Sequence, residues 1–346
     1  MRQNRWMRVI SQRYELVILG FVVAYFLIIS AINPSFLSVE TIKRIAYNGV
    51  QLSLVTLGVS IVIITKNIDV SLGSLVGLAA TLGGAAINAS MNVPILLGVC
   101  LGTGIFGGLF NGVGVAYMGV SPIIMTLGTM AIFRGMIIMY TGGRWIQAIP
   151  NFYLRYMRYS ILGVPIPIWI TFVILFIMIL IFNRTRFGRL FYAVGNNAEG
   201  ANLQGMPVQK ITVMAYVISG FMAGLAAAIY VGQIGAVPNM VGVGLETQAI
   251  AAAVIGGVSL AGGKGTVVGA YLGSLLLQTI NYSLVFLKVP GYWNDAISGF
   301  MLLVIIVFSA LLHNYMQQQK QRDLYKRMGL VETAATGHEL KEGVGQ

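Results

Sequence analysis

Long apolar runs broken by short polar stretches set the pattern of this chain. Ten hydrophobic segments are predicted, at about 15–33, 47–65, 70–90, 93–117, 121–141, 165–183, 211–234, 245–260, 265–286 and 293–313. Most approach the roughly 20 residues that a helix needs to cross a bilayer. The eighth is short and has glycine-rich ends, which reads as a broken or re-entrant element. Such backbone is tolerated at membrane depth only when buried in protein or lining a cavity. Small residues recur through "GTGIFGGLFNGVGVAYMGV" (102–120), a spacing that lets helix backbones approach closely. The expected fold is an all-α polytopic membrane protein of about ten transmembrane or re-entrant helices.

Two long loops interrupt the pattern. One, about 142–164, contains "TGGRWIQAIPNFYLRYMRY", with Trp and Tyr suited to a membrane interface. The other, about 184–210, is the most polar stretch between the termini. Organisation follows: an N-terminal segment 1–14, a transmembrane domain 15–313 and a polar C-terminal tail 314–346, whose end "TAATGHELKEGVGQ" has little to bury. The apolar stretch after Arg13 is long and lacks a small-residue cleavage pattern, so it reads as a retained span rather than a signal peptide.

Composition sharpens this picture. The chain is 57% hydrophobic and 9% charged, where soluble domains carry about a quarter charged residues. With ten segments crossing, both termini share a side. That side collects Arg2, Arg5, Arg8, Arg13, Lys66, Arg184, Arg186, Arg189, Lys210, Lys264, Lys320, Arg322, Lys326, Arg327 and Lys341. The other holds Lys43, Arg44, Arg144, Arg155, Arg158 and Lys288. Basic loops stay inside, so both termini are expected in the cytoplasm. Basic flanks meeting anionic membrane lipid account for the net charge of +12 without a nucleic-acid partner.

No catalytic or metal-binding constellation emerges, and no cofactor is expected. The histidines are His313 and His338, one at a membrane end and one in the tail, and no ligand spacing convinces. The single Cys100 precludes an internal disulfide and lies in an apolar run. "GGVSLAGGKGT" (256–266) imitates a phosphate-cradling loop, but Val258 stands where its first glycine belongs and Gly265 follows Lys264. It reads as a glycine-rich bend.

Ionisable residues at membrane depth are functional candidates by default. Three stand out: Asp69 in "KNIDVSLGSL", Arg134 in "TMAIFRGMIIMYTGG" and Glu246 at the start of the eighth segment. Asp69 suits the cap of the following helix, where a carboxylate accepts orphaned backbone N–H groups, with direct substrate contact as the other reading. Arg134 lies within reach of snorkelling or an interior partner. Glu246 would suit the positive end of a helix dipole. Neutral hydroxyl and amide groups in or near spans are Ser71, Asn111, Ser121, Thr126, Thr129, Gln248 and Asn281. Each could bond a neighbouring helix or a polar ligand.

The loop "NRTRFGRLFYAVGNNAEGANLQGMPVQK" (183–210) carries a short helical stretch from Asn197 to Leu203, ended by Gly205 and Pro207. Within it, "EGANLQG" resembles the coupling loop of bacterial ATP-binding-cassette importer permeases, Glu-Ala-Ala, three residues, Gly. Gly200 departs from that pattern, and the Ile-x-Leu-Pro ending is missing. The loop comes with "NIDVSLGS", "TLGTMAIFRG", "TGGRWI", "GLETQAIAAAVIGGVSLAGGKG" and "PGYWNDAISGFMLLVIIV". In that order they resemble the ribose, galactose, xylose and rhamnose type of importer permease over nearly the whole chain.

"QIGAVPNMVGVGLE" and "PGYWNDAISG" read closest to the branch that imports autoinducer-2, a furanone-like signal; ribose, rhamnose or another monosaccharide is the alternative. The resemblance implies a multi-pass protein of the bacterial inner membrane that is not itself an enzyme. It implies separate ATP-binding subunits, a second permease subunit in a heterodimer and a periplasmic substrate-binding protein. It marks Glu199, Gly200, Ala201 and Gly205 as the positions coupled to the ATPase. A self-contained secondary transporter is the reading from another class, and the scarcity of membrane acids argues against it. A membrane-embedded enzyme lacks a visible nucleophile–base or metal set.

Overall fold

The computed structural model describes residues 14–287 and isolated positions between 290 and 303. The tail 314–346, nearly all of the expected segment 293–313 and Arg2, Arg5, Arg8 and Arg13 lie outside the described residues. The chain begins with α1 (Tyr14–Ile32), α2 (Val39–Asn48), α3 (Val50–Ile64) and α4 (Leu72–Ser90). Next come α5 (Val93–Ala116), α6 (Pro122–Thr141), α7 (Asn151–Arg158) and α8 (Ile166–Arg184). Finally come α9 (Arg186–Asn196), α10 (Ala198–Leu203), α11 (Val208–Ile234), α12 (Leu245–Ile255) and α13 (Val267–Phe286). Every expected apolar segment before residue 287 is met by a helix.

Helices α1, α4, α5, α6, α8 and α11 are long and apolar enough to cross a membrane. The bent pair α2–α3 makes a seventh if counted as one span. α13, with 20 residues, is about 30 Å long. α12 has only 11 residues, about 16 Å, half the thickness of a hydrocarbon core.

Several elements depart from the sequence reading. The second segment, expected from residue 47, is two helices meeting at 50° around Gly49. A Cβ there would stand 2.9 Å from Cγ of Gln278 on α13. α2 is amphipathic rather than uniformly apolar, and its polar face hides it from a search for apolar runs. The Ser38 hydroxyl accepts the Thr41 N–H at 3.1 Å and starts the helix. The 142–164 loop holds α7 and a small antiparallel hairpin, β1 (Ser160–Ile161) with β2 (Val164–Pro165), so the fold is not wholly helical.

α3, α4 and α11 form the interior. Nearly every α3 residue is buried, and 72% of the most apolar window of α4 is buried against 11% for α1. The outer helices expose Phe21, Phe106, Ile124 and Phe176, a surface that needs lipid rather than water. Apolar burial cannot drive helices together in lipid, so close backbone packing must contribute. Gly104, Gly108 and Gly112 form a spine on α5 that faces α11. A Cβ on Gly104 would lie 2.9 Å from the Gly224 nitrogen, and one on Gly112 would lie 2.9 Å from Cα of Val213. The small-residue stretch 102–120 is thus a backbone contact surface.

The bundle has two ends. At one, Lys43 approaches Gly163, and the Tyr153 hydroxyl of α7 donates to the Ala228 carbonyl at 2.9 Å. At the other, Lys66 lies beside Gly262 and the α9–α10 region.

Candidate functional site

Between α11 and α12 the chain abandons helix. The link Gly235–Gly244 leaves the Lys43 end, where Ile146 and Val237 exchange backbone bonds of 3.0 and 2.8 Å. It then descends beside α4. Val237 packs against Gly84, Val241 against Gly77 and Gly242 against Gly73. From Gly84 to Gly73 is about 16 Å along a helix, so irregular backbone reaches deep into the bundle.

That descent is possible because α4 presents glycine. A Cβ on Gly77 would lie 2.7 Å from the Val241 carbonyl oxygen. One on Gly73 would collide with the Glu246 carboxylate and the Gly242 carbonyl. Buried backbone groups require partners, and the link finds them. Its turns close through Val241 N–H to Pro238 O at 3.1 Å and Leu245 N–H to Gly242 O at 3.2 Å. Arg134 of α6 donates from Nη1 to the Val241 carbonyl at 2.9 Å. Glu246 accepts the Gly244 N–H through Oε1 at 3.3 Å. Arg134 and Glu246 both secure the link, yet the only ion pair among the described residues is the exposed Arg44–Glu40.

Beside the deep end of the link lies a cavity of about 190 Å³. Its walls are Gln51 of α3, Val76 of α4, Tyr230 of α11, Val241, Gly242, Val243 and Leu245, and Gln248 of α12. No lining side chain is charged. The lining offers two amides, one phenol and the backbone of a non-helical segment, the donor and acceptor set for a small neutral polar molecule. Gln51 bonds Gln233, whose Nε2 donates to the Tyr47 carbonyl at 2.9 Å, fixing the Gln51 amide from behind.

Asp69 belongs to a second group. Its Oδ1 accepts the Ser71 N–H at 2.9 Å and the Ser71 hydroxyl at 2.7 Å. Asn111 of α5 donates to that hydroxyl at 2.8 Å. Tyr216 of α11 reaches the Ile68 carbonyl at 3.2 Å. All three of Asp69, Ser71 and Asn111 are fully buried. The carboxylate shapes the turn that enters α4 by holding the Ser71 N–H, one step before the helix proper.

The remaining sequence candidates scatter. The Thr126 and Thr129 hydroxyls bond carbonyls of their own helix, Ser121 precedes α6, and Asn281 sits on α13 away from the cavity lining. The structure brings together Arg134, Glu246 and Gln248 around the link, and Asp69, Ser71 and Asn111 at the entry to α4. Sequence reasoning missed Gln51 and Tyr230. Gln51 had a signal, as an amide inside an apolar run; Tyr230 had none.

At the Lys66 end, α9 buries Phe191 and Val194, and Phe191 packs edge-to-face on Phe182 with ring centres 5.2 Å apart. α10 follows at once. Asn197 caps it by accepting the Gly200 N–H at 2.9 Å, and a Cβ on Gly200 would lie 2.9 Å from Nδ2 of that cap. Ala201 is buried while Glu199 and Leu203 are exposed. The helix closes on Gly205, at φ +76°, with Gly205 N–H to Asn202 O at 2.9 Å and Met206 N–H to Ala201 O at 3.0 Å. A cleft of about 460 Å³ opens between Tyr117, Glu199, Asn202, Pro207 and Lys210.

Known proteins fit this architecture. The family of the branched-chain amino acid transport system / permease component matches residues 41–306. The chain belongs to that family. The permease is 39% identical over 321 residues to the Autoinducer 2 import system permease protein LsrC of Salmonella typhi, covering 93% of this chain and 92% of the relative. It is 37% identical to the protein of that name in Escherichia coli strain K12 / DH10B, covering 93% and 94%. No solved structure shows a significant match to the permease.

Proposed function

We propose that this permease is the membrane subunit of an ATP-binding-cassette importer that carries autoinducer-2 across the bacterial inner membrane. The uncharged lining of the cavity beside the link carries this reading. A zwitterionic amino acid would want charged partners there, whereas two amides and a phenol suit hydroxyl-rich neutral ligands. A cavity of about 190 Å³ has room for several waters and so for a small furanose-like molecule. The names of the relatives select autoinducer-2 among such ligands. Ribose or rhamnose fits the same lining and is the second reading.

In this scheme ATP is hydrolysed in separate subunits that engage α10 through Glu199, Gly200, Ala201 and Gly205. A second permease subunit completes the path, and a periplasmic binding protein delivers the ligand. Both termini and the Lys66 end face the cytoplasm, and the full chain places ten segments in the membrane. Substrate entering from the Lys43 end reaches Gln51, Tyr230 and Gln248. The link, clamped by Arg134 and Glu246, is the element that rearranges to pass it. Backbone that is irregular at depth belongs where a cavity must form.

The test is uptake of labelled autoinducer-2, ribose and rhamnose in cells lacking this chain, with and without the restored gene and with the ATPase subunits removed. Loss of autoinducer-2 uptake alone, dependent on the ATPase, is expected. Loss confined to ribose would overturn the substrate. Uptake that survives without the ATPase would point to a secondary transporter.

A further inference from the structure

Three segments far apart in sequence meet at the Lys66 end largely through backbone atoms. Gly195, near the end of α9, lies against the carbonyl of Ile64, the last residue of α3; a Cβ on it would collide there and stand 2.8 Å from the Gly263 nitrogen. That nitrogen donates to the same Ile64 carbonyl at 2.9 Å. A Cβ on Gly262 would lie 2.6 Å from Cβ of Lys66 and 2.7 Å from the Gly195 carbonyl oxygen. One on Gly263 would lie 2.8 Å from Cα of Asn196. The turn carrying these glycines is closed on itself by Gly262 N–H to Ser259 O at 2.9 Å and Ser259 N–H to Lys264 O at 3.1 Å.

The three segments lead to different parts of the molecule. Asn196 is followed by Asn197, the cap of α10. Ile64 ends α3, which carries Gln51, and the 256–263 turn follows α12, which carries Gln248. Gln51 and Gln248 line the cavity. Side-chain contacts absorb small displacements by changing rotamer, but backbone seated on backbone has no such slack.

We propose that the Gly195–Ile64–Gly263 contact is the joint through which movement of α10 reaches α3 and α12, and so the cavity. Gly195 and Gly263 are positioning residues for transport. This inference rests on the reading of α10 as the element engaged by the ATPase.

The experiment uses the complete complex, with ATPase subunits, second permease and ligand-loaded binding protein, in proteoliposomes. Import and ATP hydrolysis are measured together for the wild type, Gly195→Ala and Gly98→Ala, a glycine on α5 with open space around it. Gly195→Ala is expected to assemble and hydrolyse ATP, with ligand imported per ATP lowered roughly ten-fold. Gly98→Ala keeps the wild-type ratio. A merely structural role would lower the amount of complex and leave the ratio unchanged, which overturns the proposal.

A second measurement needs no variant: hydrogen exchange of the wild-type complex, nucleotide-free against nucleotide-trapped. Peptides covering 194–205, 62–70 and 256–266 should change together; a change confined to 194–205 overturns the joint. If wild-type import needs no ATPase, the functional reading itself has failed, a result separate from either of these.

Discussion

Gly205 offers a sharp test of the coupling element because its geometry can be perturbed without touching any neighbour. Its φ of +76° lies in the left-handed region, and a Cβ there would meet nothing within 4 Å. A substitution therefore costs conformational energy alone. For an L-residue that cost is about 1–2 kcal/mol, and a β-branched residue sits at the upper end or beyond. α10 has six residues, too few to persist without its caps. Beyond the Gln204 cap, its closure depends on the two bonds from Gly205 and Met206. A penalty of about 1–2 kcal/mol lowers the closed population of the element by roughly five- to thirty-fold.

Gly205→Val should therefore loosen α10 and reduce ATP-driven import by a comparable factor, with normal amounts of permease in the membrane. Gly205→Asn, a residue that enters the left-handed region more readily, should retain most activity. Vesicle uptake at matched protein levels, with hydrogen exchange at residues 198–206, checks both. Equal import by Gly205→Val and wild type, with unchanged exchange, would refute the closure argument.

Further outcomes follow from the link and the helix crossing. Arg134→Met leaves the Val241 carbonyl without its donor, a loss of about 1–3 kcal/mol. Import should fall about ten-fold or more while co-purification with the ATPase subunits is retained. Gln248→Glu places a charge in an uncharged cavity and should abolish uptake of a neutral ligand without changing basal ATP hydrolysis, measured on the same preparation. Gly104→Val drives a branched side chain into the Gly220–Gly224 backbone of α11, and overpacking of this kind costs about 1–3 kcal/mol or more. A lowered melting temperature in detergent is expected.

The apolar segments were legible because spanning helices must be continuously apolar for about 20 residues. α2 and α9 were not, since each is a short amphipathic helix whose polar face dilutes any hydropathy average. The shortness of the eighth segment was legible from its glycines. What those glycines contact was not, because Gly73 and Gly77 face a link more than 160 residues later in the sequence. Arg134 could be singled out as an ionised group in a span, but its partner is a main-chain carbonyl, and carbonyls carry no sequence signal. Gln51 carried a signal as an amide inside an apolar run, but only the fold brings α4, α11 and α12 around the cavity that it lines.

The burial of the Asp69 turn also has a consequence for the order of assembly. A membrane protein inserts as it is synthesised, so this polar turn enters the bilayer before its partners exist. Asn111 arrives 40 residues after Ser71, and Tyr216 only 148 residues after Ile68. The first partner comes with α5, soon enough for α4 and α5 to pair as a hairpin that holds the Ser71 hydroxyl while leaving the carboxylate uncovered on the side that α11 will fill. The second waits for α11, whose glycine-faced crossing with α5 then seals the site. A nascent chain halted before residue 208 should thus keep Asp69 open to water-soluble carboxyl reagents, and one extended past α11 should not.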